Sequence, residues 1–225
     1  MKMMVLDGNS LAYRAFFALP ADMATASGQV TNAVFGFASM LSNLLKEHRP
    51  DTLAVVFDRP EPTFRHEAVP EYKAQRESAP DILRQQMGII RELLEALGVT
   101  SLDMAGFEGD DIIATLSRRC EASGDDVIIV TGDRDSYQLV RDPHVKVLYN
   151  KRGVSDYAIY DEAGILERTG VPASRYVDYA ALRGDPSDNL VGANGVGEKT
   201  AAKLVNEYPD LAAILDAADK QTPKL

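Results

Sequence analysis

Leu53-Ala54-Val55-Val56-Phe57-Asp58 is an unbroken apolar, β-branched run that stops at a carboxylate. A strand of that composition is buried on both faces, the habit of strands in a parallel sheet. Outward from it the pattern recurs. Met3–Leu6 ends at Asp7, and Val127–Val130 (VIIV) ends at Thr131-Gly132-Asp133. Val145–Tyr149 is a further strand candidate. Helical periodicity fills the intervals: 31–48, with Val34, Phe37, Ala38, Leu41, Leu44 and Leu45 on one face; 81–97, between Pro80 and Gly98; and 110–120. The alternation predicts an α/β fold, a mostly parallel central sheet with helices on both faces. No strand pattern follows Asp161. The expected organisation is therefore an α/β core over 1–160 and a helical subdomain over 161–225.

The 225 residues suffice for one large domain with a small appendage, and 45% hydrophobic residues exclude a disordered chain. A single cysteine, Cys120, excludes a disulfide framework and a cysteine zinc site, and it fits a reducing cytoplasm. His48, His66 and His144 are scattered, which argues against a histidine metal site. No run approaches the ~18 apolar residues of a membrane span, and MKMMVLDGNS does not read as a signal peptide. The expected setting is cytoplasmic, with no membrane. The net charge of −10, taken alone, argues against nucleic acid as a partner.

The carboxylates carry the chemistry. Asp7, Asp58 and Asp133 each follow an apolar run, and ligands of open parallel sheets bind outside the carboxyl ends of the strands. Asp also caps helices in that position, but three with one placement favour a shared rim. Glu108, Asp110 and Asp111 crowd a helix start and repel one another, a repulsion that a divalent cation relieves. Asp133 and Asp135 form one further pair, and Asp185 and Asp188 another; Asp-Pro-Ser-Asp-Asn is equally a turn sequence. An all-oxygen set without His or Cys suits Mg²⁺ or Mn²⁺. Nine carboxylates exceed the needs of one ion, so two or more are expected, the usual device for phosphodiester cleavage.

Two other segments stand out. Gly192–Thr200 (GANGVGEKT) fails as a Walker A motif because Glu198 separates Gly197 from Lys199. It reads as a tight hairpin between two helices, whose free amides can hold a phosphate or which serves as a plain structural corner. Arg59–Pro80 is polar, has four prolines and lacks a clean period, and connections of that length are usually functional or disordered.

LDGNSLAYRAFFALP, TNAVFGF, VVFD, FR…EYKAQR, Gly106-Phe107 with EGDD, VTGDRD, ALRGDPSDN and GVGEKTAAKL follow one another from Leu6 to Leu204. In this set and order the chain closely resembles the bacterial 5′-nuclease (flap endonuclease) family, comprising the N-terminal 5′-3′ exonuclease domain of DNA polymerase I and stand-alone relatives. The resemblance implies a PIN-like 5′-nuclease fold with a helical arch at about 61–84 and a helix–hairpin–helix in the C-terminal subdomain. It implies a two-metal hydrolase acting on DNA with a 5′ flap, a nick or a 5′ single-stranded end, leaving a 5′-phosphate and a 3′-hydroxyl, in replication and repair. RNA primer strands are further candidate substrates. The implied setting is a monomer at the bacterial nucleoid, standing alone or as part of a polymerase polypeptide. Asp7, Asp58, Glu108 and Asp110 resemble the first metal site, Asp111 a position next to both sites, and Asp133, Asp135, Asp185 and Asp188 the second. Lys73 and Arg76 resemble the arch pair that contacts the scissile phosphate. At i, i+3 they would share a helix face. Arg65 belongs to the same segment, and Tyr72 is placed to stack on an unpaired base. Gly192, Gly195, Gly197, Lys199 and Thr200 resemble the hairpin that grips the duplex backbone and can use K⁺. Gly109 stands where members commonly have Ala, and Val191 with Ala193-Asn194 replaces a Pro-rich lead into the hairpin.

The other readings are a fork-DNA-binding module that does not cut, and a Mg²⁺-dependent phosphatase or RNA-directed nuclease. The complete acid set opposes the first, and the hairpin with the arch-like insertion opposes a small-molecule phosphatase. Between Glu61 and Arg84, four basic residues face five acidic ones, so only the placement of cations would make that segment bind phosphate. Set the nine carboxylates aside and the remaining acids and bases nearly balance. The −10 is then largely a concentrated cation-binding cavity, which does not exclude a local DNA-binding face.

Overall fold

The first strand, β1 (Lys2–Asp7), is where the two apolar layers meet. Its Met4 and Leu6 are fully buried on one face of a sheet and Val5 on the other, as the two-residue period of a strand requires. The structure, a computed structural model, describes residues 1–220. Around β1 lie β2 (Thr52–Val56), β3 (Thr100–Leu102), β4 (Asp126–Thr131), β5 (Val145–Arg152) and β6 (Asp156–Tyr160), in the spatial order β3-β2-β1-β4-β5-β6. All neighbours pair in parallel except β5 and β6. The sheet is thus mixed and mostly parallel, with one antiparallel edge strand. That strand was absent from the sequence pattern because one side of it is solvated: Ile159 is exposed.

The described α-helices are α1 (Gly8–Ala18), α2 (Asn32–His48), α3 (Phe64–Ala68), α4 (Asp81–Ala96), α5 (Gly109–Ala122), α6 (Glu162–Thr169), α7 (Tyr176–Arg183), α8 (Glu198–Glu207) and α9 (Leu211–Asp216). Leu11 of α1, Phe37 and Leu41 of α2, and Ile90 and Leu94 of α4 pack with Met4, Leu6, Val55 and Phe57 on one face. Ile113 of α5, Ile165 of α6, Tyr176 of α7 and Leu204 of α8 pack with Val5, Val56 and Ile129 on the other. The chain leaves β1 toward β2 and β3, then crosses to β4 and β5 on the opposite side. This reversal opens a crevice at the carboxyl ends of β1 and β4.

Two expectations change. Beyond Asp161 the chain is not purely helical, because β7 (Gly184–Asp185) and β8 (Leu190–Val191) form a short antiparallel ribbon between α7 and α8. Two-residue strands lie below any periodic signal. The arch segment 61–84 holds only the five-residue α3 and the start of α4; residues 70–75 are turns. The expected subdomain boundary falls between the end of β6 and the start of α6, and its last residues, 221–225, lie outside the described ones. Among the described residues no helix is long and apolar enough to cross a membrane.

Candidate active site

The strand ends deliver their acids to one place. A cleft of about 950 Å³ at the carboxyl edge of the sheet is lined by Asp7, Asp58, Glu108, Asp110, Asp133, Asp135 and Asp185. Asp7 ends β1 and caps α1. Its Oδ1 accepts from the Ser10 amide at 2.9 Å and its Oδ2 from the Thr131 hydroxyl at 2.8 Å, which ties β1 to β4. Asp58 follows β2 and accepts from the Gly109 amide at 2.7 Å, joining β2 to the start of α5. A methyl group on Gly109 would stand 3.2 Å from that carboxylate oxygen, so Ala there would press on Asp58. Glu108 caps α5, and Asp133 accepts from the Asp135 amide at 2.8 Å.

The electrostatics of the cluster are strained. Burial, helped by the charges of Asp58 and Asp133, pushes the Asp7 carboxyl up to about 6 against its two hydrogen bonds. Burial and the charges of Asp7, Asp133 and Asp58 raise Asp110 well above the ordinary range. Burial, then Asp133, Asp185 and Asp188, push Asp135 to about 6. Each group resists ionisation because it lies among other acids away from water. Among the described residues, however, no three acidic, His or Cys side chains stand close enough together to hold a metal ion. The donor set fits hard divalent cations by its chemistry, all carboxylate oxygen with unbalanced negative charge. The side chains would have to draw inward around an ion.

The insertion before α4 supplies the opposite charge. Lys73 Nζ lies 2.9 Å from Glu108 Oε2 and 3.9 Å from Asp188 Oδ2, and Arg76 Nη2 lies 2.8 Å from Asp188 Oδ1. Lys73 and Arg76 both line the cleft, but they do not share a helix face. Lys73 has φ of 55°, in the left-handed region that a helix cannot include, and its amide donates to the Asp188 carbonyl at 2.9 Å. A turn brings the pair together where a helix was expected.

Three further residues differ from expectation in placement. Tyr72 is only 6% exposed and its hydroxyl lies 3.0 Å from Glu108 Oε2 and 3.1 Å from Asp188 Oδ2, so its ring is not presented for stacking. Burial and those two acids raise its pKa. Asp111 does not line the cleft. Arg65 grips it through two bonds of 2.7 and 2.8 Å and holds its carboxyl below the usual range. Asp188 also stays outside the cleft lining, under Tyr72, Lys73 and Arg76.

The hairpin region sits on the far wall. Gly197 caps α8 and lines the cleft, while Lys199 and Thr200 occupy its first turn, Lys199 exposed. Gly195 has φ of 78°. Gly184 and Gly192 pack backbone to backbone, because a Cβ on either would strike the main chain of the other. Sequence reading passed over Asn9, Ser10, Thr131, Arg134 and Arg183. Asn9, Ser10 and Thr131 adjoin acids already singled out, so adjacency was the available signal; Arg134 lies inside VTGDRD and Arg183 inside ALRGDPSDN.

The chain matches the family described as 5′-3′ exonuclease, N-terminal resolvase-like domain, over residues 2–170, and the 5′-3′ exonuclease C-terminal SAM fold over residues 171–225. It is 51% identical over 218 residues to a DNA polymerase I of Mycobacterium tuberculosis, covering 96% of this chain and 24% of that protein. It is 43% identical over 235 residues to a 5′-3′ exonuclease of Streptomyces coelicolor, covering 99% of this chain and 77% of that one. The chain thus spans about a quarter of the length of the polymerases it matches. Among solved structures, the T5 D15 protein co-crystallised with metal ions has a TM-score of 0.77 at 21% identity, covering 96% of this chain and 78% of that one. The catalytic core of Rad2 in complex with DNA has 0.62 at 21%, covering 97% and 65%. At those identities the likeness shows a shared fold. Two family matches spanning nearly every residue and relatives at this identity place the chain in the 5′-3′ exonuclease family.

Proposed function

We propose that this chain cleaves DNA phosphodiester bonds at 5′ ends and at the base of 5′ flaps, leaving a 5′-phosphate and a 3′-hydroxyl. The observation that carries the reading is the convergence of seven of the singled-out carboxylates, from the ends of β1, β2, β4 and β7 and the start of α5, on one cleft that Lys73 and Arg76 also line. Asp7, Asp58, Glu108 and Asp110 would hold one Mg²⁺ or Mn²⁺, and Asp133, Asp135 and Asp185 a second, with Asp111 and Asp188 able to join once freed from Arg65, Lys73 and Arg76. Bound divalent cations supply neutralisation of phosphate charge and activation of water.

The chain's own residues do the rest. Ser10 and Thr131 fix the Asp7 carboxylate, and the Gly109 amide fixes Asp58. Lys73 and Arg76 exchange their carboxylate partners for the scissile phosphate and stabilise the charge that builds on it. The amides before α8, with Lys199 and Thr200, hold the duplex backbone, where a K⁺ ion can contribute. The substrates are DNA with a 5′ flap, a nick or a 5′ single-stranded end, with RNA primer strands as a further candidate class. The chain acts as a monomer in the bacterial cytoplasm at the nucleoid, alone or within a polymerase polypeptide.

Mapping of cut sites on matched flap, nicked and single-stranded substrates tests this. Cleavage at the flap base with Mg²⁺ or Mn²⁺, abolished by EDTA, is expected. Full activity in EDTA, or binding of forks without any cut, overturns it.

A further inference from the structure

Beside the acidic cleft lies a smaller cavity of about 160 Å³, walled by the 3₁₀ turn Asp135–Leu139, α6, α7 and the start of α8. Its charge is opposite to that of its neighbour. Arg134, Arg168 and Arg183 line it against one carboxylate, Glu198. Arg134 Nη1 lies 3.5 Å and Arg183 Nη1 3.9 Å from the same Glu198 oxygen, so a single exposed acid is divided between two guanidiniums. Among the described residues Arg168 has no carboxylate partner. Its Nε donates to the Tyr137 hydroxyl at 3.1 Å, and its guanidinium stands 5.8 and 5.7 Å from the rings of Tyr149 and Tyr160. Tyr176, on the same wall, is 1% exposed, and its hydroxyl faces the Arg183 guanidinium. A guanidinium only donates, so the proton of that buried hydroxyl is left for another acceptor.

Three guanidiniums and a hydroxyl with a proton to donate, around a polar cavity, call for a compact oxyanion with several acceptors. Guanidinium forks match phosphate oxygens in pairs. At about 30 Å³ per water the volume takes a tetrahedral anion with a few waters, and it is too small for a nucleoside. Arg134, Arg183 and Glu198 line the acidic cleft as well, so the cavity adjoins the cleft.

We propose that this cavity is a phosphate-binding site. The group it takes is either a phosphate of the nucleic-acid strand engaged in the cleft, which rests on the nuclease reading above, or free phosphate, which does not. Inorganic phosphate titrated into the full chain in EDTA, followed calorimetrically, tests the site without any appeal to cleavage. Arg168→Gln is expected to weaken phosphate about fivefold or more, and Arg134→Gln, at an exposed position that the fold does not need, about threefold. Glu198→Gln, which removes the competing acid at another exposed position, is expected to tighten it about threefold, a gain that damage to folding would not produce. Equal phosphate affinity in all four proteins, or no binding by the parent, overturns the proposal.

The source of the phosphate is read from flap DNA binding in EDTA across salt concentrations. With a strand phosphate in the cavity, each arginine variant weakens DNA and lowers the salt slope by about one. With free phosphate, DNA affinity is unchanged while the phosphate response persists. A chain that binds phosphate in this pattern but never cuts DNA with Mg²⁺ defeats the nuclease reading and leaves the site standing.

Discussion

Lys73 Nζ lies 2.9 Å from Glu108 Oε2, an ion pair that fastens the proline-rich insertion to the residue capping α5. Both side chains are largely shielded from solvent, at 18% and 9% exposure, so the pair matters to stability as well as to chemistry. The same lysine reaches toward Asp188, where Arg76 also binds. In this arrangement the cations expected to serve a phosphate neutralise the acids beneath them.

Lys73→Ala leaves the Glu108 carboxylate largely buried without the cation paired with it. The metal-free protein is expected to lose about 1–3 kcal/mol in urea denaturation. On a 5′ flap, Lys73→Ala and Arg76→Ala are each expected to lower the single-turnover rate by more than they lower DNA affinity. A double variant that cuts normally would remove both residues from the chemistry.

Asp7→Asn should separate stability from activity. The Asp7 carboxyl sits at about 6 in the fold and near its ordinary value when unfolded, so above pH 6 its ionisation opposes folding. Replacement by a neutral isostere is expected to stabilise the metal-free protein by on the order of 1–3 kcal/mol at pH 7.5 and to abolish cleavage. An Asp7→Asn protein no more stable than the parent in EDTA would contradict the strain inferred for the cluster.

The same shifts set a pH dependence. Asp7 and Asp135 are both raised, so between about pH 4 and 6 the folded chain holds more protons than the unfolded one. Their contribution to the stability of the metal-free protein therefore rises as pH falls from above 6 toward 4, and it is lost as pH climbs through 6. Melting curves in EDTA at pH 7.5 and 5.5 measure it. Mg²⁺ at pH 7.5 is expected to raise the melting temperature, and Asp133→Asn or Asp188→Asn to reduce that rise and to lower cleavage drastically while flap binding persists.

Gly184→Ala and Gly192→Ala should each cost about 2–3 kcal/mol and loosen the ribbon that carries Asp185. Gly184 has φ of 76° and ψ of 172°, a region reserved for glycine, and the two backbones touch where a Cβ would stand. Gly197→Ala meets nothing within 4 Å and should leave the melting temperature nearly unchanged. Parallel thermal melts of the three variants decide this.

The alternating apolar runs determined the mostly parallel sheet, because β1, β2 and β4 are buried on both sides and their composition says so without reference to any partner. The acids ending those runs were legible for the same reason: a strand that stops at Asp delivers it to the sheet edge whatever the rest of the chain does. Tertiary structure alone decided which acids face the cleft. Asp111 and Asp188 look like the others in sequence, but Arg65 takes one and Tyr72, Lys73 and Arg76 cover the other. The turn that joins Lys73 to Arg76 depends on a hydrogen bond from the Lys73 amide to the carbonyl of Asp188, more than a hundred residues away, and no local period records it. Likewise the arginine cavity gathers residues from four separate elements, and only packing around Tyr137 and Tyr176 brings them together. Local sequence fixes what each segment buries, whereas the pairing of charges is a long-range competition that the folded chain resolves.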